Sequence, residues 1–275
     1  MTFRSLLLKG QQALENAGII EAKNDAWLLM NYSLSISRTF YFVHMTDDVR
    51  EDQCRAYEEV ISARSRRIPL QYLTGEQEFM GLPFHVTPDV LIPRQDTETL
   101  VEEALKVAKP GMKILDLCTG SGCILIALLK HMEGLSGTGA DISQAALAVA
   151  GENAALNGVN ADFICSDLFD RIGGVYDMIV SNPPYIPSAV IETLMPEVAQ
   201  HEPIGALDGS EDGLYFYRQI TAKCREHLAP GGKILFEIGN DQGKDVSEML
   251  TNAGFRNVRV IKDLAYNDRV VYGEL

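Results

Sequence analysis

The sequence predicts an α/β protein in which a mostly parallel sheet of seven strands follows a small all-helical domain. From residue 96 onwards, short apolar strands alternate with amphipathic helices, a pattern typical of a parallel sheet covered on both faces. Before residue 76, apolar residues recur at three- and four-residue spacing, which is typical of helices. We therefore divide the chain of 275 residues into domains 1–75 and 76–275.

Charge is distributed differently in the two parts of the chain. Residues 1–80 carry 9 basic and 11 acidic side chains, whereas the remainder carries 15 basic and 27 acidic ones. The net charge of −14 repels phosphate backbones, so we expect no stable binding to nucleic acid.

The first domain is expected to be a small bundle of helices. The apolar spacing predicts helices over 5–19, 22–35 and 52–67. Asp47 and Asp48 are the candidate N-caps of the third helix. Trp27, the one tryptophan, is expected to fill the core of this bundle.

Glycines and prolines punctuate short aromatic and β-branched runs over residues 70–94. This composition predicts a hairpin or an extended connector rather than a helix.

The alternating region begins with a helix, with Asp96 as its candidate cap and Pro110 ending it. The last two strands are too close in sequence for a crossover helix, so one of them is expected to run antiparallel. The predicted helices span 96–109, 123–132, 143–158, 213–228 and 242–255, and the predicted strands span 113–117, 136–141, 162–167, 177–182, 233–239, 258–263 and 268–275.

Cysteine spacing and hydropathy exclude several classes of protein. The five cysteines form no CxxC pair and the five histidines do not cluster with them, so we expect reduced cysteines and no metal site. No stretch approaches the roughly 18 apolar residues that span a membrane. The N-terminal run of three leucines is too short for a secretory signal, and a cytoplasmic protein is expected.

A candidate cofactor loop lies over residues 116–122, between a strand and a helix. Its small residues let a ligand approach the backbone, and the helix behind it offers free N–H groups. Asp141 ends the next strand, where an acid can accept both hydroxyls of a ribose. A dinucleotide and S-adenosylmethionine both fit these two features. Asp116 favours S-adenosylmethionine, because an acid suits its ammonium and sulfonium groups better than a pyrophosphate.

Asp167 and Leu168 end the third strand, where they can offer an acceptor and an apolar contact to an adenine ring; a helix cap or a solvated acid is the competing interpretation of Asp167. The candidate cofactor-binding residues are Asp116, Cys118, Thr119, Gly120, Ser121, Gly122, Asp141, Asp167, Leu168 and Asn182.

The most specific motif is Asn182-Pro183-Pro184-Tyr185, at the end of the fourth strand. Two prolines remove two backbone donors and stiffen the loop. The carbonyls of Asn182 and Pro183 and the Asn182 side chain are then available as acceptors for both hydrogens of an –NH2 group. Tyr185 can stack on a planar substrate; a rigid turn with a buried tyrosine is the competing interpretation.

These motifs together resemble those of class I, Rossmann-like methyltransferases that modify exocyclic amino or amide nitrogens. Residues 71–98 and 201–220 are similar to segments of the protein-(glutamine-N5) methyltransferases that act on peptide-chain release factors. The helical residues 1–75 match the small recognition domain of that family. The resemblance implies S-adenosylmethionine as cofactor and class 1 release factors as partners. The family's first loop glycine is replaced by Cys118.

The resemblance also implies an aromatic side chain from the linker beside the transferred methyl. Phe84 is the candidate and Phe79 the reserve, with packing in the hairpin as the alternative role. Arg94 is expected either to anchor substrate backbone or to pair with Glu98. Glu202 and Asp212 are candidates for shaping the substrate loop. The candidate catalytic residues are Asn182, Pro183, Tyr185 and Phe84, and the candidate substrate-binding residues are Asn182, Pro183, Pro184, Tyr185 and Arg94.

Three other functions remain open at this stage. An adenine-N6 or guanine-N2 methyltransferase of nucleic acid shares the Asn-Pro-Pro-aromatic chemistry, but such enzymes usually bring a basic cleft or a target-recognition domain. A methyltransferase of a ribosomal-protein glutamine would differ mainly in the shape of its first domain. A non-catalytic module on the same fold is disfavoured by the intact Asn182–Tyr185 motif.

Overall fold

A computed structural model describes residues 1–275, with twelve α-helices and nine β-strands. The helices are α1 Phe3–Asn16, α2 Ala22–Leu34, α3 Arg38–His44, α4 Glu51–Ser65, α5 Leu70–Thr74, α6 Glu98–Val107, α7 Cys123–His131, α8 Gln144–Leu156, α9 Ser188–Ile191, α10 Pro196–His201, α11 Tyr215–Lys223 and α12 Gly243–Asn252. The strands are β1 Glu76–Phe79, β2 Leu82–His85, β3 Lys113–Leu117, β4 Ser136–Asp141, β5 Asp162–Cys165, β6 Tyr176–Ser181, β7 Leu228–Glu237, β8 Arg256–Lys262 and β9 Asp268–Glu274.

The chain forms two compact units. One contains residues 1–75 together with 195–201, and the other contains 76–194 and 202–275. Nothing in the sequence pattern indicated that residues 195–201 pack with the helical unit.

The helical unit is built around α1, α2 and α4, which bury an apolar core. Leu6, Leu14, Leu29 and Met30 are fully buried there. Trp27 is also buried, with its ring edge-on to that of Tyr41 at a centroid distance of 5.4 Å.

Buried ion pairs attach residues 195–201 to this unit. The Arg64 guanidinium donates to Asp25 Oδ2 at 2.8 Å and to Glu197 Oε1 at 2.9 Å. Arg67 donates to the other oxygen of Glu197 at 2.7 Å. Removing one member would leave a buried charge without its partner, which is strongly destabilising.

Two expectations for the helical unit are wrong. Helix α4 begins after Arg50, and neither aspartate caps it: Asp47 pairs with His44 and Asp48 with the N-terminal amine. The second error is the absence of α3 and α5 from the prediction. Helix α3 is rich in aromatic and β-branched residues with weak helix propensity, and it forms with Ser37 as its cap.

The second unit contains a seven-stranded sheet in the order β5-β4-β3-β6-β7-β9-β8. Strand β9 is antiparallel to both of its neighbours, and the other pairings are parallel. This confirms the predicted sheet of seven strands with one antiparallel strand. The strand order reverses between β3 and β6, so a crevice opens outside the carboxyl ends of these two strands.

Helices cover both faces of the sheet. Leu100 of α6 and Leu128 of α7 are buried against one face, and Ile220 of α11 and Leu250 of α12 against the other.

Two boundaries differ from those predicted in this unit. A 3₁₀ turn over Gln95–Thr97 precedes α6, so Asp96 lies inside the turn and pairs with Arg269 instead of capping the helix. Strand β7 begins at Leu228 and includes Pro230-Gly231-Gly232, whereas the sequence pattern predicts a strand that begins only at Lys233.

Strands β1 and β2 form the expected hairpin, and Asn153 of α8 and Asn157, which follows α8, hold it. Asn153 accepts from the His85 backbone N–H at 2.6 Å and donates to the carbonyls of His85 and Ser121, both at 3.0 Å. Asn157 donates to the carbonyl of Pro83 at 2.9 Å. Asn153 therefore joins the hairpin to the loop that follows β3.

The Asn153→Ala substitution should lower the free energy of unfolding by about 3 kcal/mol, because three buried or part-buried backbone groups lose their partner. Urea denaturation of the two proteins measures this difference. The matched control is Asn160→Ala, at an exposed asparagine, which should have little effect. Equal stabilities of the two variants would contradict the role given to Asn153.

Candidate active site

A cavity of about 220 Å³ lies at the carboxyl ends of β3 and β6. Its walls come from residues that follow β3, β4, β5 and β6, from linker residues between 89 and 94, and from residues 203–206. The reversal of strand order explains this position, because the loops after β3 and β6 leave the sheet in opposite directions.

The loop after β3 is closely packed against α7 and α8. Gly122 has a φ of +79°, and a Cβ there would lie 2.9 Å from Ile126 Cδ1 and 3.1 Å from Ala150 Cβ, so both the backbone conformation and the packing favour glycine. A Cβ on Gly120, in contrast, would meet no atom within 4 Å. The space in front of the loop is therefore open to a ligand.

Cys118 has a φ of +59°. This is the left-handed region that favours glycine, so the replacement of the family's glycine places strain at the start of the loop. Leu168, which follows β5, has a φ of +46°. Both residues line the cavity.

Asp116 lies behind the loop rather than in the cavity. It is fully buried, and the Thr119 hydroxyl donates to its Oδ2 at 2.6 Å. Burial raises the pKa of Asp116 from 3.8 to about 7. Asp116 is not among the residues that line the cavity, but it accepts a hydrogen bond from Thr119, which is.

Asp141 lines the cavity and is held in place by backbone donors. Its Oδ2 accepts from Gly120 N–H and its Oδ1 from Ser143 N–H, both at 2.9 Å. Burial raises the pKa of this carboxyl. Asp141 lines the same cavity as Leu168, the half-buried apolar residue that follows β5. Asp167 is exposed and also lines the cavity.

The Asn182–Tyr185 loop begins where β6 is tied to β3, because Ser181 Oγ donates to the Leu117 carbonyl at 2.7 Å. Asn182 and Pro184 line the cavity, whereas Pro183 is buried beside them. Tyr185 points towards the protein interior, with its hydroxyl 3.5 Å from Glu237 Oε1. Tyr185 is half-buried and is not among the residues that line the cavity.

The linker residues occupy other places than expected. Phe84 is fully buried, with its ring edge-on to that of Phe79 at 6.0 Å, and both rings belong to the core. Neither lines the cavity, where the linker contributes Leu91 among others. The placement of Phe84 matches the alternative role of packing in the hairpin.

Arg94 lines the cavity and pairs with Glu202 at 2.5 Å, not with Glu98. The Glu98 carboxylate instead accepts from the Met80 backbone N–H. Asp212 pairs with Arg218 through both of its oxygens.

Two buried residues near the Asn182–Tyr185 loop were missed from the sequence. Glu237 ends β7 with its carboxylate buried, and burial raises its pKa to about 7. Gln242 donates to the Tyr185 carbonyl at 3.0 Å. The position of Glu237 at a strand end was a usable signal, since acids rarely occur in buried strands.

Known proteins match this chain over its whole length. The model of the PrmC N-terminal domain matches residues 5–75, and that of the methyltransferase small domain matches residues 95–200. A release factor glutamine methyltransferase of Geobacter sulfurreducens is 40% identical over 275 residues, which cover 100% of this chain and 97% of that protein. The chain belongs to the release factor glutamine methyltransferase family.

Further relatives agree with this membership. The family member of Rhodospirillum rubrum is 42% identical over 269 residues, which cover 96% of this chain and 82% of that protein. A solved methyltransferase of Pyrococcus furiosus shares the fold, with a TM-score of 0.56 and 16% identity. The match covers 78% of this chain and 98% of that protein. The Rossmann-like methyltransferase fold and the family resemblance seen in the sequence are confirmed. None of the helices of this methyltransferase is long and apolar enough to cross a bilayer.

The Asp116→Asn substitution should raise the free energy of unfolding of this methyltransferase, relative to wild type, more at about pH 8 than at about pH 5. Because the pKa of Asp116 is higher in the folded protein than in the unfolded chain, the neutral carboxyl favours the folded state. Wild type loses this contribution to its stability as the pH rises from the unfolded value of 3.8 through about 7. The amide keeps a neutral acceptor for Thr119 at both pH values. Thermal unfolding at the two pH values measures the difference.

The control is Asp162→Asn, which alters an exposed aspartate of β5. Asp116→Asn is expected to differ from this control in its pH dependence. An identical change in melting temperature at both pH values would contradict a buried carboxyl that titrates near pH 7.

Proposed function

We propose that this enzyme transfers a methyl group from S-adenosylmethionine to the side-chain amide nitrogen of the glutamine in the Gly-Gly-Gln loop of class 1 release factors. The observation that carries the proposal is the single cavity shared by Asn182, Asp141 and the loop after β3. The full-length match to release factor glutamine methyltransferases supports the choice of substrate.

The residues around the cavity fit S-adenosylmethionine. Asp141 presents a carboxylate whose position two backbone N–H groups fix, as needed to accept ribose hydroxyls. Leu168 and the exposed Ile142 offer apolar surface for an adenine. The open space in front of Gly120 admits the methionine part. When bound, this cofactor supplies an electrophilic methyl on a sulfonium.

The amide nitrogen of glutamine is a poor nucleophile, because its lone pair is delocalised into the carbonyl. The Asn182 side-chain oxygen and the Pro183 carbonyl would accept its two N–H groups and direct the lone pair towards the methyl. No hydrogen bond within the protein occupies the Asn182 side chain or the Pro183 carbonyl. Positioning of this kind lowers the barrier without a strong base.

Recognition of the intact release factor is assigned to the helical unit. The PrmC N-terminal domain model covers residues 5–75 of this unit. Helix α3 exposes apolar side chains, with Phe42 67% and Val43 69% exposed. Such side chains suit contact with a protein better than contact with a phosphate backbone.

The Asp141→Ala substitution should weaken binding of S-adenosylmethionine by about 1–3 kcal/mol, since a charge-assisted hydrogen-bonding site is lost. Isothermal calorimetry measures the affinity, with Asp162→Ala as the control at an exposed aspartate of the next strand. Unchanged affinity in Asp141→Ala would remove this residue from the cofactor site.

The Asn182→Ala substitution should lower single-turnover methyl transfer to a release factor by about a hundredfold, because it removes one oriented acceptor. Cofactor affinity should change less, since the proposed cofactor contacts follow other strands. Asn182→Asp keeps an acceptor oxygen and should retain more activity than Asn182→Ala. A wild-type rate in Asn182→Ala would exclude the proposed role of the loop.

The substrate is tested with tritiated S-adenosylmethionine and four acceptors. These are a class 1 release factor, the same factor with its loop glutamine replaced by glutamate, ribosomal protein and DNA. The proposal predicts label in the intact release factor alone. Equal label in the glutamate form would place the methyl on another residue, and label in ribosomal protein or DNA alone would overturn the substrate assignment.

A further inference from the structure

We propose that Gln242 is a positioning residue for the Asn182–Tyr185 loop, holding the loop from its far end so that its acceptors keep their direction. The inference rests on the proposed function of that loop. Gln242 precedes α12 and is 7% exposed. It lies outside the cavity wall, so any effect it has on the reaction acts through the loop.

The amide of Gln242 is bonded on both of its sides. Its Nε2 donates to the Tyr185 carbonyl at 3.0 Å and to the Gly213 carbonyl at 3.3 Å. Its Oε1 accepts from the Gly239 N–H at 2.9 Å and from the Tyr217 hydroxyl at 3.4 Å. One side chain therefore connects the loop after β6, the segment before α11 and the end of β7.

These partners leave the amide one orientation. A backbone carbonyl can only accept and a backbone N–H can only donate. A flipped amide would therefore place its oxygen against the carbonyl oxygens and its NH2 group against the Gly239 N–H. The Tyr185 carbonyl thus depends on the nitrogen of Gln242 for its direction.

Glycines allow residues 207–213 to approach Tyr185 closely. A Cβ on Gly213 would lie 2.3 Å from the Tyr185 carbonyl oxygen, and one on Gly209 would lie 2.8 Å from Tyr185 Cα. Ile186 exchanges backbone hydrogen bonds with this same segment, donating to Leu207 and accepting from Gly209. The chain after the motif is therefore packed closely against residues 207–213.

The two prolines explain why this tether matters. Pro183 and Pro184 have no N–H groups, so the loop cannot hold itself by backbone donors. Ser181 fixes its near end to β3, and the Tyr185 carbonyl is the group that Gln242 fixes at its far end. The direction of the Pro183 carbonyl is then set by these two ends. A small displacement of an oriented group costs up to about a hundredfold in rate.

The test is Gln242→Glu, which keeps the shape of the side chain and places a carboxylate oxygen against two carbonyl oxygens. At about pH 8.5, kcat for release factor methylation should fall at least about tenfold, with cofactor affinity within about threefold of wild type. Lowering the pH to about 6 should restore part of the loss, because a buried carboxyl facing carbonyls has a raised pKa and its protonated form donates again.

The rates are expressed as ratios to wild type at each pH, because other groups around the site titrate or carry charge. Tyr217 of α11 and Tyr185 face Gln242 directly, and Glu237 of β7 and Arg269 of β9 lie behind them. The pKa of Glu237 is raised to about 7 by burial, and the ratio corrects for the part of its titration that wild type and variant share.

Asn157→Asp is the matched control. Asn157 is 6% exposed and its amide also donates to two carbonyls, those of Pro83 and Asn153, but in the hairpin region. The same chemical change there should lower the melting temperature while kcat stays within about twofold of wild type. If Gln242→Glu does not fold, Gln242→Met, which removes the donor without adding charge, is measured instead.

A wild-type kcat in the Gln242 variant, an equal loss in Asn157→Asp, or a loss in Gln242→Glu that does not recover at low pH would each overturn the inference. The comparison with Asn182→Ala separates this failure from that of the proposed function. If Asn182→Ala is slow and the Gln242 variants are not, only the positioning role fails. If Asn182→Ala also reacts at the wild-type rate, the function of the loop itself is wrong.

Discussion

The structure of the site depends on the pairing of β3 with β6 at their carboxyl ends. Leu117 and Ser181 are opposite each other in this pair, and Ser181 Oγ donates to the Leu117 carbonyl. Because the order of the strands reverses here, the loop after β3 and the loop after β6 part and leave a cavity between them. The proposed cofactor groups and the proposed acceptors for the substrate amide thereby meet at one place. Leu117 and Ser181 are 64 positions apart in the sequence.

Destabilising features gather around this pair of strands. Cys118 and Leu168 have positive φ angles, and Asp116 and Glu237 are carboxyls buried with pKa values raised to about 7. Strain and buried charge of this kind lower stability and are common where a site must be rigid. The surrounding contacts offset them: Thr119 bonds Asp116, Asn153 ties the β3 loop to the hairpin, and Gln242 holds the β6 loop.

The sequence predicts those parts of the site that depend on strand ends. Asp141 and Asn182 both line the cavity, because the carboxyl ends of parallel strands share one edge of the sheet. Side-chain direction was harder to predict. Asp116 and Tyr185 point into the protein and Phe84 into the core, because packing against distant segments decides these directions. The attachment of residues 195–201 through Glu197 and the role of Gln242 depend on partners 130 and 57 residues away, and no local pattern marks them.

The central claim is that Asn182 and Pro183 hold the amide of the substrate glutamine. A crystal structure of the enzyme with S-adenosylhomocysteine and a release factor tests this most directly. We expect the glutamine amide nitrogen to lie within about 3.2 Å of both Asn182 Oδ1 and the Pro183 carbonyl oxygen, the range of a good N–H···O bond. An amide nitrogen bonded to neither atom, with the glutamine carbonyl or another group in its place, would contradict it.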